Sequence, residues 1–347
     1  MIPRPVAAAL AAALLFGAGT PLAKALLAGA SPWLLAALLY LASGTGLAIT
    51  RALARSPRVR LPAGEAKWLA GAIACGGIAG PVLLMLGLAA MPASSASLLL
   101  NAEAVFTALI AWIVFRENVD ARVFAGFVCI VAGAALVGGG GSFDGVDWTP
   151  ALFVLAACLA WGIDNNLTRK VSLSDASWIA MVKGLVAGAT NLVIAFALGA
   201  HPPSAGTVAG AALVGFASYG ASLTLFVIAL RGLGTARTGA YFAVAPFFGA
   251  LVSVLWLHEP VTITLVAAGV LMAIGVALHF AERHEHTHVH EVMAHSHEHV
   301  HGAADGHHDH AHVPPVAPGT RHSHPHEHAP LVHSHPHYPD MHHGHRH

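Results

Sequence analysis

The sequence predicts an all-α integral membrane protein with ten transmembrane helices, arranged as two inverted five-helix repeats. Three observations predict it. First, residues 1–281 are oily and are cut by Gly, Pro and charge into stretches of about 20 residues, the length an apolar helix needs to cross a bilayer. Second, one hydrophobic block occurs twice. AEAVFTALIAWIVFRE ends at Glu117 and VAPFFGALVSVLWLHE at Glu259; LLFG ending at Gly17 is matched by LAWG ending at Gly162, and Lys24 by Arg169. An odd number of spans per half sends the second half into the membrane from the opposite side. Third, charge is one-sided. With the amino terminus placed in the cytoplasm, Arg4, Arg51, Arg55, Arg58, Arg60, Lys67, Arg116, Arg122, Arg169, Lys170, Arg231, Arg237 and Arg283 all fall at cytoplasmic ends.

The first half gives helices near 5–26, 31–53, 67–90, 94–115 and 121–139; the second gives 150–168, 176–199, 205–230, 235–257 and 261–281. Span 1 has a basic start and a small-residue exit like a secretory signal, but its FG matches the WG of span 6, so it is read as structural. Span 3 carries Gly76 and Gly80 four apart, a face that lets helices approach closely in lipid, and span 7 repeats this at Gly184 and Gly188. Pro21, Pro81 and Pro246 lie within spans and mark bends. The chain divides into residues 1–139, a periplasmic linker 140–149 that overlaps the Gly-rich hinge GGGGSFDGVDW (138–148), residues 150–281, and a tail 282–347.

Composition excludes several classes. The chain is 56% hydrophobic and 10% charged with zero formal net charge, which gives no basis for nucleic-acid attraction. Cys75, Cys129 and Cys158 lie inside apolar spans and read as packing residues, not as a disulfide or zinc framework. No phosphate-cradling G-x-x-x-x-G-K-[ST] loop occurs, and no Ser–His–Asp or H-E-x-x-H set occurs in the spans, so no enzyme is expected.

The FG and WG pairs, the small-residue turns MPASSAS and LGTARTG, and the closing Glu117 and Glu259 together resemble the drug/metabolite transporter superfamily, in its ten-helix group of two EamA repeats. The resemblance covers about residues 5–280. It implies a secondary transporter of small metabolites or drug-like solutes, often an exporter, working by alternating access in the inner membrane with both termini cytoplasmic. The family's fourth-helix proline is present as Pro246, but the first-half position is Ala104, after Glu103. The departure predicts a different helix bend there.

An ionisable side chain deep in a span costs about 2.5–3.5 kcal/mol on insertion scales, so it faces a cavity or a partner. Lys24 and Glu103, of opposite charge and comparable depth, are read as a pair or shared site, with Glu103 a candidate for proton coupling. Asn101 precedes it on the same span. Asp164, Asn165 and Asn166 form a polar cluster near the cytoplasmic end of span 6, read as a gate or path residues against the alternative of a capped helix end. Trp161, Tyr219 and Tyr241 are candidate aromatic walls around an organic ligand. Lys183 is read as shallow enough to snorkel, and Asn191 as a helix-to-helix hydrogen bond. The two closing glutamates sit where they oppose a helix dipole, which calls for a local partner.

All but three (His201, His258 and His279) of the 26 histidines lie in residues 284–347. They recur as H-x-H at His284, His286, His288 and His290; at His295, His297, His299 and His301; and at His322, His324, His326 and His328. Neutral imidazoles at this density suit zinc, nickel or cobalt. The tail is expected to lack regular structure and to bind divalent metal, and a metal exporter, or a metal-regulated carrier, is the alternative function. The spans themselves show no His, Asp and Cys cluster for a dedicated ion path. Ten spans suffice for one cavity, so a monomer can work.

Overall fold

The computed structural model describes residues 3–57, 59, 61–62, 64–115, 121–139, 147–171, 175–233, 235–280, 285–290, 293–300, 321–328 and 331–336. Two units result, Met1–Glu282 and Arg283–His347. The first is helical throughout its regular structure.

Span 1 is α1 (Arg4–Leu26) and span 2 is α2 (Pro32–Leu53). Span 3 is α3 (Ala66–Ala72), a π-helical turn at Ile73–Ala79, and α4 (Gly80–Ala90). Span 4 is broken into α5 (Ala93–Leu99) and α6 (Ala102–Phe115), and span 5 is α7 (Ala121–Gly138). The second repeat starts with α8 (Thr149–Thr168), which tightens into a 3₁₀ turn at Arg169–Val171, and α9 (Ala176–Ala197). Span 8 is α10 (Ala205–Gly215), a π-helical turn at Phe216–Ala221, and α11 (Ser222–Leu233). Span 9 is α12 (Thr235–Phe242) then α13 (Ala245–Trp256), and span 10 is α14 (Ile263–Phe280). Among the described residues, nine helical stretches are long and apolar enough to cross a membrane, and Ile263–Leu278 is a shorter apolar one.

Local chemistry sets the starts. Ser31 accepts the Leu34 N–H at 3.4 Å, Asp175 that of Trp178 at 3.0 Å and Ser204 that of Thr207 at 3.1 Å, each meeting an unpaired donor of a first turn. Pro32, Pro150 and Pro246 stand at first-turn positions, where a missing N–H costs nothing.

The two halves share their irregularities as well as their helices. Spans 3 and 8 carry π-turns at matching places, and spans 4 and 9 break at matching places, around Leu100–Asn101 and Ala243–Val244. The altered bend expected from Ala104 does not occur. Span 4 breaks without a proline, because Asn101 turns its amide back onto the Leu98 carbonyl at 2.8 Å, offering the backbone an alternative to the helical ladder.

Packing crosses the repeats. Spans 2 and 7 lie against one another, as do spans 5 and 10, while span 1 packs on spans 8 and 9 and span 6 on spans 3 and 4. Glycine makes the closest crossings. A Cβ on Gly44 would lie 2.5 Å from the Leu185 nitrogen, and one on Gly184 would lie 2.8 Å from the Gly44 Cα. In lipid, where burial gives little drive for association, such backbone contact is a main source of cohesion. Apolar side chains face outward, including Ile113, Val193, Leu213 and Ile263.

In the second unit, where no regular structure is expected, Glu285–His290 (β1) pairs antiparallel with Leu331–Pro336 (β4), and Met293–Val300 (β2) with Arg321–His328 (β3). The H-x-H alternation has the period of a strand. His284, Glu117 and most of the linker 140–149 lie outside the described residues.

Candidate functional site

Between the repeats lies a cavity of about 390 Å³. Its walls come from six spans. Span 1 gives Phe16, span 2 gives Tyr40 and Ser43, and span 4 gives Glu103. Span 6 gives Trp161, Asp164, Asn165 and Thr168; span 7 gives Ile179 and Lys183; span 8 gives Tyr219 and Leu223. Most of the polar lining comes from the carboxyl end of α8 and the amino end of α9, so the cavity lies on the side of the connection between spans 6 and 7.

Its ionic centre is Asp164 with Lys183. The Lys183 Nζ donates to both carboxylate oxygens at 2.6 Å and to the Thr168 hydroxyl at 3.4 Å, and Thr168 itself donates to Asp164 Oδ1 at 2.8 Å. Both side chains are largely buried, 18% exposed for Lys183 and 7% for Asp164, so removing either leaves an uncompensated charge. Glu103 stands on the first turn of α6, just past the break. Its Oε1 accepts from the Asn165 amide at 2.9 Å, and the same amide donates to the Thr107 hydroxyl at 3.2 Å.

The π-turn of span 3 lies behind the lining and anchors two of its side chains. A π-turn shifts the helical ladder and frees a carbonyl. The Gly76 oxygen accepts both the Tyr40 hydroxyl at 3.0 Å and the Trp161 Nε1–H at 2.9 Å, while the Gly77 and Ile78 oxygens accept from the Asn191 amide at 3.4 and 3.3 Å. Asn191 is thus the interhelical bond expected of it. Gly76 and Gly80 have a further use that their spacing did not show. A Cβ on Gly76 would overlap the Asp164 carboxylate, and one on Gly80 would lie 2.8 Å from Trp161 Nε1. These glycines make room for two cavity side chains. The Tyr219 ring lies 5.8 Å from Tyr40 and 5.8 Å from Phe16, edge-on to the latter.

Among the sequence candidates, Glu103, Trp161, Asp164, Asn165 and Tyr219 meet here. Asn166 does not line the cavity; its amide ties α8 to α6 through the Thr107 carbonyl at 3.0 Å. Asn101 is buried at the break of span 4, and Tyr241 packs against Ala8, Ala9 and Ala229. The Lys24–Glu103 pair does not form. Lys24 donates to the carbonyls of Leu88, Ala89 and Met91 at 2.7, 3.2 and 3.1 Å, using all three protons on the last turn of α4. From there to Glu103 the chain climbs more than two helical turns, about 15 Å at 1.5 Å per residue. Lys183 does not snorkel, because Asp164 holds it. Glu259 finds a partner far away in sequence: its two oxygens accept the N–H groups of Ala93 and Ser94 at 2.7 and 2.8 Å, at the start of α5.

Sequence reasoning missed Phe16, Tyr40, Ser43 and Thr168, and undervalued Lys183. Tyr40 and Ser43 carry no signal apart from their apolar surroundings, whereas Phe16 is the counterpart of Trp161 in the duplicated FG and WG pairs. Lys183 did carry one. Asp164 and Lys183 sit within the halves of two adjacent spans nearest their shared connection, and counting back from that connection pairs them. Among the described residues no group of three metal-ligating side chains occurs.

Comparisons with known proteins agree with this architecture. The chain is 34% identical over 202 residues to an uncharacterized transporter of Methanothermobacter thermautotrophicus, an alignment spanning 56% of this chain and 59% of that protein. A crystal structure superposes over 79% of this chain and 95% of its own, with a TM-score of 0.58 and 20% identity, a likeness of fold alone. The description of the EamA-like transporter family matches twice, over residues 4–139 and 148–281, the two halves whose helices, π-turns and breaks correspond. This multi-pass membrane protein belongs to the EamA-like transporter family.

Proposed function

We propose that the chain is a secondary carrier, not an enzyme, that moves a small organic solute outward across the inner membrane by exposing the cavity alternately to its two sides. One observation carries the reading: a cavity between inverted repeats that combines aromatic walls with a buried ion pair and a membrane-embedded carboxylate. Cavities of a few hundred Å³ with few, convergent polar groups are the common form of small-solute sites. With both termini in the cytoplasm, as the Lys and Arg bias supports, the cavity faces inward. Its outer end is closed by span 1 fastened to α4 through Lys24 and by Glu259 on α5. Rocking the repeats about the Gly44–Gly184 crossing would break the Glu259 bonds, which join the two repeats, and parting span 1 from α4 within the first repeat would then open the other side.

Glu103 supports proton coupling, since it is the lining carboxylate with an amide as its bonded partner. The tail supports divalent metal binding through its histidines, as a regulator of the carrier. A monomer holds a complete cavity.

Flux in proteoliposomes tests the reading. Reconstituted protein is loaded with panels of radiolabelled amines, amino acids, organic acids and divalent metals, with and without a pH gradient. Saturable flux of an organic solute is expected. Flux of metal alone would replace the reading with the metal exporter, and no flux of any solute would remove it.

A further inference from the structure

The charges lining the cavity do not balance, and the imbalance names a cargo class. The described ionisable lining groups are Glu103, Asp164 and Lys183, together with the phenols of Tyr40 and Tyr219. Lys183 gives short bonds to both oxygens of Asp164, which closes that pair on itself. Glu103 has the Asn165 amide, a neutral donor, and among the described residues no cation lies in ion-pair contact with it. With both carboxylates ionised the cavity therefore carries one net negative charge. A half-buried carboxylate with a single neutral donor has unused acceptor capacity. Around it stand Tyr40, Trp161 and Tyr219, whose ring faces carry negative quadrupole density and attract cations. Tyr40 and Trp161 spend their polar hydrogens on Gly76, so they are anchored away from the solute and present ring surface rather than donors.

We propose that this cavity takes a monovalent organic cation, with its ammonium group beside Glu103 and its apolar body against Tyr40, Trp161 and Tyr219. An anionic solute would meet two carboxylates and would have to pull Lys183 from Asp164 to gain a cation. A neutral solute leaves Glu103 unpaired. The inference rests on the carrier reading for its biological sense, but its site can be tested without transport.

The test uses three probes of one skeleton. Equilibrium dialysis of the full-length protein in detergent at neutral pH compares radiolabelled phenethylamine, phenylacetate and phenethyl alcohol. Phenethylamine is expected to bind at least about tenfold more tightly than either of the others, the scale of one desolvated cation–π or charged hydrogen bond. Glu103→Gln is expected to remove that preference, bringing phenethylamine to the level of the alcohol, and Glu103→Asp to restore part of it. The wild-type comparison needs no variant to fold. Equal affinity for the three probes, preference for phenylacetate, absence of saturable amine binding, or an amine preference intact in Glu103→Gln would each overturn the proposal. Amine binding without flux of any solute would remove the carrier and keep the cation site. Flux confined to acids or neutral solutes would keep the carrier and remove the cation.

Discussion

Lys183 reaches from span 7 to Asp164 on span 6 and donates to both of its carboxylate oxygens at 2.6 Å. The pair fixes the end of α8 that carries Trp161, Asn165 and Thr168 into the cavity, so one bond orders much of the polar wall. Breaking a buried pair from one side costs about 3–5 kcal/mol, whereas replacing both members by neutral residues is far less damaging. Lys183→Met and Asp164→Asn are each expected to lower the detergent melting temperature clearly. Asp164→Asn combined with Lys183→Met is expected to recover most of the loss without recovering flux. Additive losses in the double variant would show that the pair is not the unit argued for.

Gly17 and Gly162 are equivalent in sequence but not in tolerance. A Cβ on Gly17 would come 2.2 Å from the Ala245 carbonyl oxygen, backbone that has no room to give, whereas one on Gly162 would lie 3.0 Å from Phe106 Cβ and the Thr107 nitrogen. Gly17→Ala is expected to destabilise by about 1–3 kcal/mol, the range for overpacking, and Gly162→Ala by less. Thermal unfolding followed by size-exclusion fluorescence decides it; the reverse order would contradict the packing.

Lys24 ties span 1 to the end of α4 by bonding three carbonyls at once, and under the proposed carrier reading this fastening closes the outer end of the cavity. Ser94, beside that closure, is buried. In a background with the three native cysteines replaced by Ala, Ser94→Cys is expected to be protected from an impermeant thiol reagent applied outside. Adding Lys24→Met is expected to raise the labelling rate several-fold. Unchanged protection would mean that the end is shut by something other than this lysine.

Asp175 gives the pH dependence of the spans 2 and 7 interface. Burial pushes its carboxyl upward, but hydrogen bonds from Ser177, Arg51 and the Trp178 N–H outweigh it and hold the group at about 2. The unfolded chain titrates near ~3.9. A depressed folded value means stability that is fully present above ~4 and is lost as pH falls toward about 2. Arg51 lies 2.7 Å from this carboxylate and also bonds Ser177. Wild type is therefore expected to outlast Arg51→Met in melts near neutral pH, with the gap narrowing through the acid range. A gap that stays constant would remove the titration from the argument.

The bilayer made the spans legible in the primary structure. Backbone groups in lipid must be satisfied inside the protein, chiefly within their own helix, so length and apolarity place ten segments, and an odd repeat inverts the second half. The duplicated FG and WG mark the glycines where span 1 meets α13 and span 6 meets α6. Polar clusters inside spans pointed to Glu103, Asp164 and Asn165 for the same reason, since lipid gives such groups no other home.

Partners are another matter, because they depend on which helix faces which. Lys24 and Glu103 have opposite charge, but the helices place the first against the carbonyls of α4 and the second against Asn165. Asp164 and Lys183 meet because α8 and α9 turn back on one another, and Gly76 matters because a π-turn frees its carbonyl. Such freed carbonyls and crossing glycines are set by three-dimensional register, and a linear pattern of apolar residues holds no record of it. Insertion energy, a property of each segment alone, determined the membrane architecture from the sequence; the pairing of buried charges, a property of neighbouring segments, was decided only by the tertiary structure.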